Sequence, residues 1–147
     1  MKQIPGTWFE CKVRYEQTQE DGTEKMVTET YVYKAADFGE AYDKATKDMS
    51  TSISGEFGIT AMKIAQYKEI ITQDDRTEEK YYRVKVNLII LDEKTQKEKK
   101  IACYYLVNAD SVEKARKYTD TALSDEILDY VIEAVQEAKI IDVIFDN

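Results

Sequence analysis

Between residues 81 and 91, Tyr82, Val84, Val86, Leu88 and Ile90 alternate with Tyr81, Arg83, Lys85 and Asn87. That period of two is the pattern of a half-buried antiparallel strand with one apolar and one mixed face. A weaker version runs from Trp8 to Tyr15, where Phe9, Cys11, Val13 and Tyr15 form the apolar set. A polar turn follows each strand, over 19–25 and 92–100, and Asp21-Gly22 in the first is a strong hairpin signal. Second strands are predicted over 27–34 and 101–107, rich in the Tyr, Val and Thr that strands favour. Asp37 with Glu40, and Asp110 with Glu113, then have the spacing of a capping box. Phe38, Ala41, Ala45 and Met49 recur at helical spacing behind the first, as do Val112, Ala115, Tyr118 and Ala122 behind the second.

The two series overlay. A shift of 73 residues places Trp8-Phe9 on Tyr81-Tyr82, Lys12-Val13 on Lys85-Val86, Tyr31 on Tyr104, Ala61 on Ala134 and Ala65 on Ala138. The helical positions align better at 74, so one copy has gained or lost a residue near the helix start. The last element is ambiguous, because Ile127, Leu128, Val131, Ile132 and Val135 fit a helix while the matching 55–65 stretch, with Gly55 and Gly58, reads as a strand. Duplicated units keep their element types, so both are read as strands, with a helical turn over about 124–128. The expectation is an α+β fold of two tandem pseudo-symmetric β-β-α-β repeats, 7–72 and 80–145, in one domain spanning 1–147. They would form a six-stranded, mostly antiparallel sheet with two helices packed on one face. An acidic segment, 73–79, reads as a solvated linker between them.

Composition narrows the chemistry. Histidine is absent, which removes the usual neutral-pH general base, the Ser-His and Cys-His nucleophile pairs and the common zinc sites. Cys11 and Cys103 lie inside strand patterns rather than in a metal or redox spacing, and read as reduced core thiols. The net charge of −8 opposes passive binding to duplex nucleic acid. No apolar run reaches the roughly 18 residues of a membrane span, and residues 1–6 lack a secretory pattern, so a cytoplasmic protein is expected.

Few residues suggest a site. Asp74-Asp75 with Glu78-Glu79 offers magnesium-type ligands, but the segment supplies no rigid element to hold them. Ser54-Gly55-Glu56-Phe57-Gly58 lacks the lysine and helix of a phosphate loop. Lys94, Lys97, Lys99 and Lys100 form a basic second turn, balanced by Asp92, Glu93 and Glu98, that could grip an anionic ligand. The chain has eleven tyrosines. Trp8, Tyr31, Tyr33, Tyr81 and Tyr104, on a sheet face with Arg14, Arg83 and Lys85, make a candidate surface for stacking or for a protein contact. The plain alternative is that the helices cover that face and the rings are core or rim. No catalytic residue, metal ligand or cofactor is assigned.

The runs Trp8–Glu16, Ile53-Ser54-Gly55-Glu56-Phe57, Leu91-Asp92-Glu93-Lys94 and Asp129-Tyr130-Val131-Ile132 resemble a family of small uncharacterised proteins from gut Bacteroidota and their phages or mobile elements. The resemblance covers nearly the whole chain and implies a bacterial or phage-derived setting, without catalytic residues. The resulting expectation is a non-enzymatic binding or adaptor protein whose partner is another protein or itself. A nucleotide-type ligand sponge and an acidic mimic of nucleic acid are the alternatives.

Overall fold

Strand alternation, hairpin turns and two capped amphipathic helices are realised in the computed structural model, which describes residues 1–75 and 77–145. Arg76, inside the predicted linker, and Asp146 and Asn147 lie outside the described residues. The elements are β1 (Lys2–Pro5), β2 (Trp8–Thr18), β3 (Glu24–Lys34), α1 (Phe38–Ser52), β4 (Phe57–Ala65), β5 (Tyr67–Thr72), β6 (Tyr81–Asp92), β7 (Lys97–Asn108), α2 (Val112–Ala122), β8 (Asp129–Ala138) and β9 (Asp142–Ile144). The fold is α+β, but the expected single six-stranded sheet is replaced by two mixed sheets, ordered β1-β5-β7-β6-β8 and β4-β2-β3-β9.

The correction has a specific cause. The chain after β4 does not turn back but continues as β5, which pairs in parallel with β7; the chain after β8 continues as β9, which pairs in parallel with β3. Two compact units result, a five-stranded one of residues 1–5 and 66–139 and a four-stranded one of residues 6–65 and 140 onward. Each helix lies on its own sheet rather than on a shared face.

Inside each unit the alternation decides what is buried. Tyr82, Val84, Val86 and Leu88 meet Tyr105 and Val107 of β7 and Ala115 of α2 in the larger core. In the four-stranded unit Phe9 packs with Ala35 and Ala41, and Cys11 with Tyr33 and Ala45. Each fully buried aliphatic side chain contributes roughly 1.5–3 kcal/mol, which outweighs the weak helix propensity of these short segments.

Both ladders carry a β-bulge at corresponding places, between Lys12 and Val13 opposite β4 and between Lys85 and Val86 opposite β8. The extra residues are Thr60 and Glu133. Asp37 caps α1 as expected, its carboxylate accepting from Glu40 N–H at 2.8 Å. In α2 the cap is Ser111, not Asp110, because β7 runs one residue longer than β3; Ser111 Oγ accepts from Lys114 N–H at 3.1 Å. The second turn is also tighter than expected. Lys97, Lys99 and Lys100 lie on β7, and the turn is closed by Gln96 at φ 58°.

Candidate functional site

The predicted surface residues do not converge. Tyr81, Arg83, Lys85 and Tyr104 share the face of the five-stranded sheet away from α2, since Lys85 is opposite Tyr104 in the ladder. Trp8 and Arg14 hold the matching positions on β2, in the other unit. Tyr31 and Tyr33 do not join them: they are opposite Cys11 and Phe9 and so face the helix side. Trp8, Tyr33 and Tyr81 are buried and Arg14 is exposed. Arg83 donates to the Tyr67 hydroxyl at 3.0 Å, and Lys85 pairs with Glu133 at 3.0 Å. Glu133 also accepts from Asn87 at 2.7 Å, so the bulge aims its extra residue at two β6 side chains. Lys85 and then Asn87 hold the Glu133 carboxyl below the usual range.

The helix-side tyrosines are tied to carboxylates. Tyr15 and Tyr31 both donate to Glu29 Oε1, at 2.8 and 3.1 Å, and Tyr33 donates to Asp48 at 2.8 Å. Burial, then these bonds, raises all three phenols above their usual value. Tyr105 is pushed up to about 12 chiefly by burial, Tyr118 to about 12 chiefly by its bond to Glu78, and burial pushes the Cys11 thiol to about 11. A group raised on folding favours its protonated form in the native state. Its contribution is complete below the unfolded value, 9.0 for Cys and 10.0 for Tyr, and is lost as pH rises through the folded one. Stability should therefore hold up to about pH 9 and fall steeply between about pH 10 and 12. Tyrosinate absorbance and far-ultraviolet dichroism recorded together test this; ionisation of all tyrosines near pH 10 without loss of dichroism would contradict it.

The predicted linker is solvated only in part. Asp74, Asp75, Thr77 and Glu79 are exposed, but the Glu78 side chain is 7% exposed. Its Oε1 accepts from the Tyr118 hydroxyl at 2.6 Å and from Lys114 Nζ at 3.4 Å. Asp110, displaced from its capping role, accepts from Glu79 N–H at 2.8 Å. A hydrogen bond with the Glu78 side chain, then that backbone bond, holds the Asp110 carboxyl below the usual range. Asn108 completes the anchor, its amide donating to Glu78 O at 3.0 Å and to Lys80 O at 2.8 Å. These groups satisfy one another and fasten 78–80 to the end of β7 and the start of α2.

An exposed apolar surface lies at the opposite end of the five-stranded sheet. β8 begins opposite Ile89, and β5 pairs with β7 only from Tyr104 onward. The β6–β7 hairpin therefore runs on alone as a two-stranded ribbon, with Ile90 opposite Lys99 and Leu91 opposite Glu98. Leu91 (56% exposed) and Ile101 lie on it, while Ile127 (96%), Leu128 and Val131 (50%) lie in and just after the loop that enters β8. The candidate surface is this ribbon and loop. Sequence reading missed it because Ile127-Leu128 was absorbed into a helical turn; the available signal was an apolar pair flanked by Asp125, Glu126 and Asp129, outside any alternation.

In the four-stranded unit a cavity of about 340 Å³ is lined by Thr7, Lys34, Ala35, Ala36, Glu40, Lys44 and Phe145. The Lys44 ammonium there already bonds Lys34 O at 2.7 Å and Glu40 at 3.0 Å. Among the described residues no group of three or more acidic, Cys or His side chains could hold a metal ion. No helix is long and apolar enough to cross a membrane. No curated protein and no solved structure matches the chain. A family described as Domain of unknown function (DUF4494) matches residues 7–146, and with nearly its whole length covered the chain belongs to that family.

Proposed function

We propose that this chain is a non-enzymatic binding or adaptor protein that acts through a protein–protein contact at the ribbon end of the five-stranded unit, in a bacterial or phage-derived setting. The reading takes 7–72 and 80–145 as copies of one duplicated unit. The equal placement of the two bulges in ladders 73 residues apart supports that duplication. The observation that carries the proposal is what stands at equivalent positions. The 73-residue shift sets Leu91 against Thr18, Ile101 against Thr28, Ile127 against Ser54, Leu128 against Gly55 and Val131 against Gly58. Asn87 is opposite Val131 as Arg14 is opposite Gly58, so the last correspondence is also one of ladder position. The architecture accepts Thr, Ser or Gly at all five places, so folding does not require large apolar side chains there. Exposed apolar surface costs solubility, and surface of this kind marks a contact.

Placing a photo-crosslinking amino acid at position 127 or 91, and at Gln17 of the matching polar ribbon as control, tests the proposal in the cell of origin. Protein adducts are expected from 127 and 91 and not from 17. Absence of adducts at both ribbon-end positions, or equal labelling at Gln17, defeats the reading.

A further inference from the structure

We infer that the partner at the ribbon end is a second copy of this chain, docked about a twofold axis that runs along the ribbon; this rests on the preceding reading and names its partner. The strands at that end lie in the order β8, β6, β7, so two oppositely charged strips flank β6. On one side, the loop and start of β8 carry Asp125, Glu126 and Asp129 and no basic residue over 124–131. On the other, β7 carries Lys97, Lys99 and Lys100. Among the described residues none of these six charges takes part in an ion pair. The exposed apolar residues lie within and between the strips: Ile127, Leu128 and Val131 on the acidic side, Leu91 on β6 and Ile101 on β7.

Neighbouring strands are about 4.8 Å apart, which sets the strips roughly 10 Å from each other across β6. That is too far for their ends to neutralise each other directly. A second copy stacked on the ribbon about an axis parallel to β6 exchanges left for right. Each acidic strip then faces a basic one, twice, over a shared apolar centre. Side-by-side pairing would instead oppose lysine to lysine at β7 or acid to acid at β8. An unrelated copy of equal charge would be repelled, since the chain carries −8 overall; local complementarity is what overcomes that repulsion.

Sedimentation of the full chain at low and high salt, with two charge-reversed variants, tests the inference. One variant carries Lys97→Glu, Lys99→Glu and Lys100→Glu; the other carries Asp125→Lys and Glu126→Lys. The wild type is expected to dimerise, more weakly in high salt. Each variant alone should self-associate on the order of a hundredfold more weakly, and an equimolar mixture should recover a heterodimer, because the acidic variant then meets a wholly basic partner. A wild type that stays monomeric at the highest soluble concentration in low salt overturns the inference, as do variants that dimerise normally or a mixture that does not reassociate. Circular dichroism of each variant separates lost association from lost folding. A monomeric wild type that still yields adducts at position 127 defeats the self-partner while leaving a foreign protein partner in place.

Discussion

Replacing Phe9 with alanine is expected to lower stability by about 3–5 kcal/mol, a large part of the roughly 5–15 kcal/mol that holds a domain together. Phe9 is 1% exposed at the start of β2, and the residues around it are small, Ala35 and Ala41, so nothing near can move in to fill the space left. The loss therefore combines the transfer free energy of the ring with an unfilled cavity. The neighbouring Phe38 ring meets Phe9 edge to face, with centroids 5.0 Å apart, and would be left without that contact. Phe38 itself is half exposed, so Phe38→Ala is the control and should cost only about 1 kcal/mol. Urea unfolding of both variants gives the comparison. A Phe9→Ala loss below about 1 kcal/mol would mean that the α1 face of the four-stranded sheet is not packed as described.

Asn108→Ala should cost about 2–4 kcal/mol, for a different reason. Asn108 is 1% exposed and its amide donates to two carbonyls, those of Glu78 and Lys80. Alanine removes both donors. The Lys80 carbonyl keeps the bond from Ala109 N–H at 2.9 Å, whereas Asn108 is the donor that holds Glu78 in place. Asn108→Asp should be worse at neutral pH than Asn108→Ala. It turns two donors into an ionised acceptor facing two oxygens in a buried place. Because protonation restores a donor, the aspartate variant should regain stability relative to the alanine variant as pH falls through the carboxylate range. A fluorescence-monitored denaturation series over pH checks this, and a pH-independent difference between the two variants would show that Asn108 does not fasten segment 78–80.

Asn108 also illustrates why part of the architecture was hidden from sequence reading. It is the residue by which β7 outruns β3, and that single insertion moves the helix cap from Asp110 to Ser111. The change in shift from 73 to 74 was visible along the chain. What Asp110 does instead was not, because its partner is Glu79, thirty-one residues earlier, and no spacing rule reaches that far. The candidate surface follows the same division. The lysines of 92–100 and the acids around Ile127-Leu128 were legible as composition. Their arrangement on opposite sides of β6 depended on which strands pair.

The sequence by itself determined the strands, the helices and their caps to within a residue or two, the apolar face of each strand and the strand character of 129–138. Each of these follows from period and local chemistry, which act over a few neighbouring residues. Only the tertiary structure decided that there are two sheets. Between Ala65 and Tyr67, and from Lys139 to Ile141, there is no Gly, Pro or turn pair to mark a break, and 57–72 reads as one long extended run. The crossing at Gln66 depends instead on where Ile70 and Ile71 can be fully buried, beside β7 rather than at the far edge of the first sheet. Burial of that kind is a property of the assembled chain, and no local pattern records it.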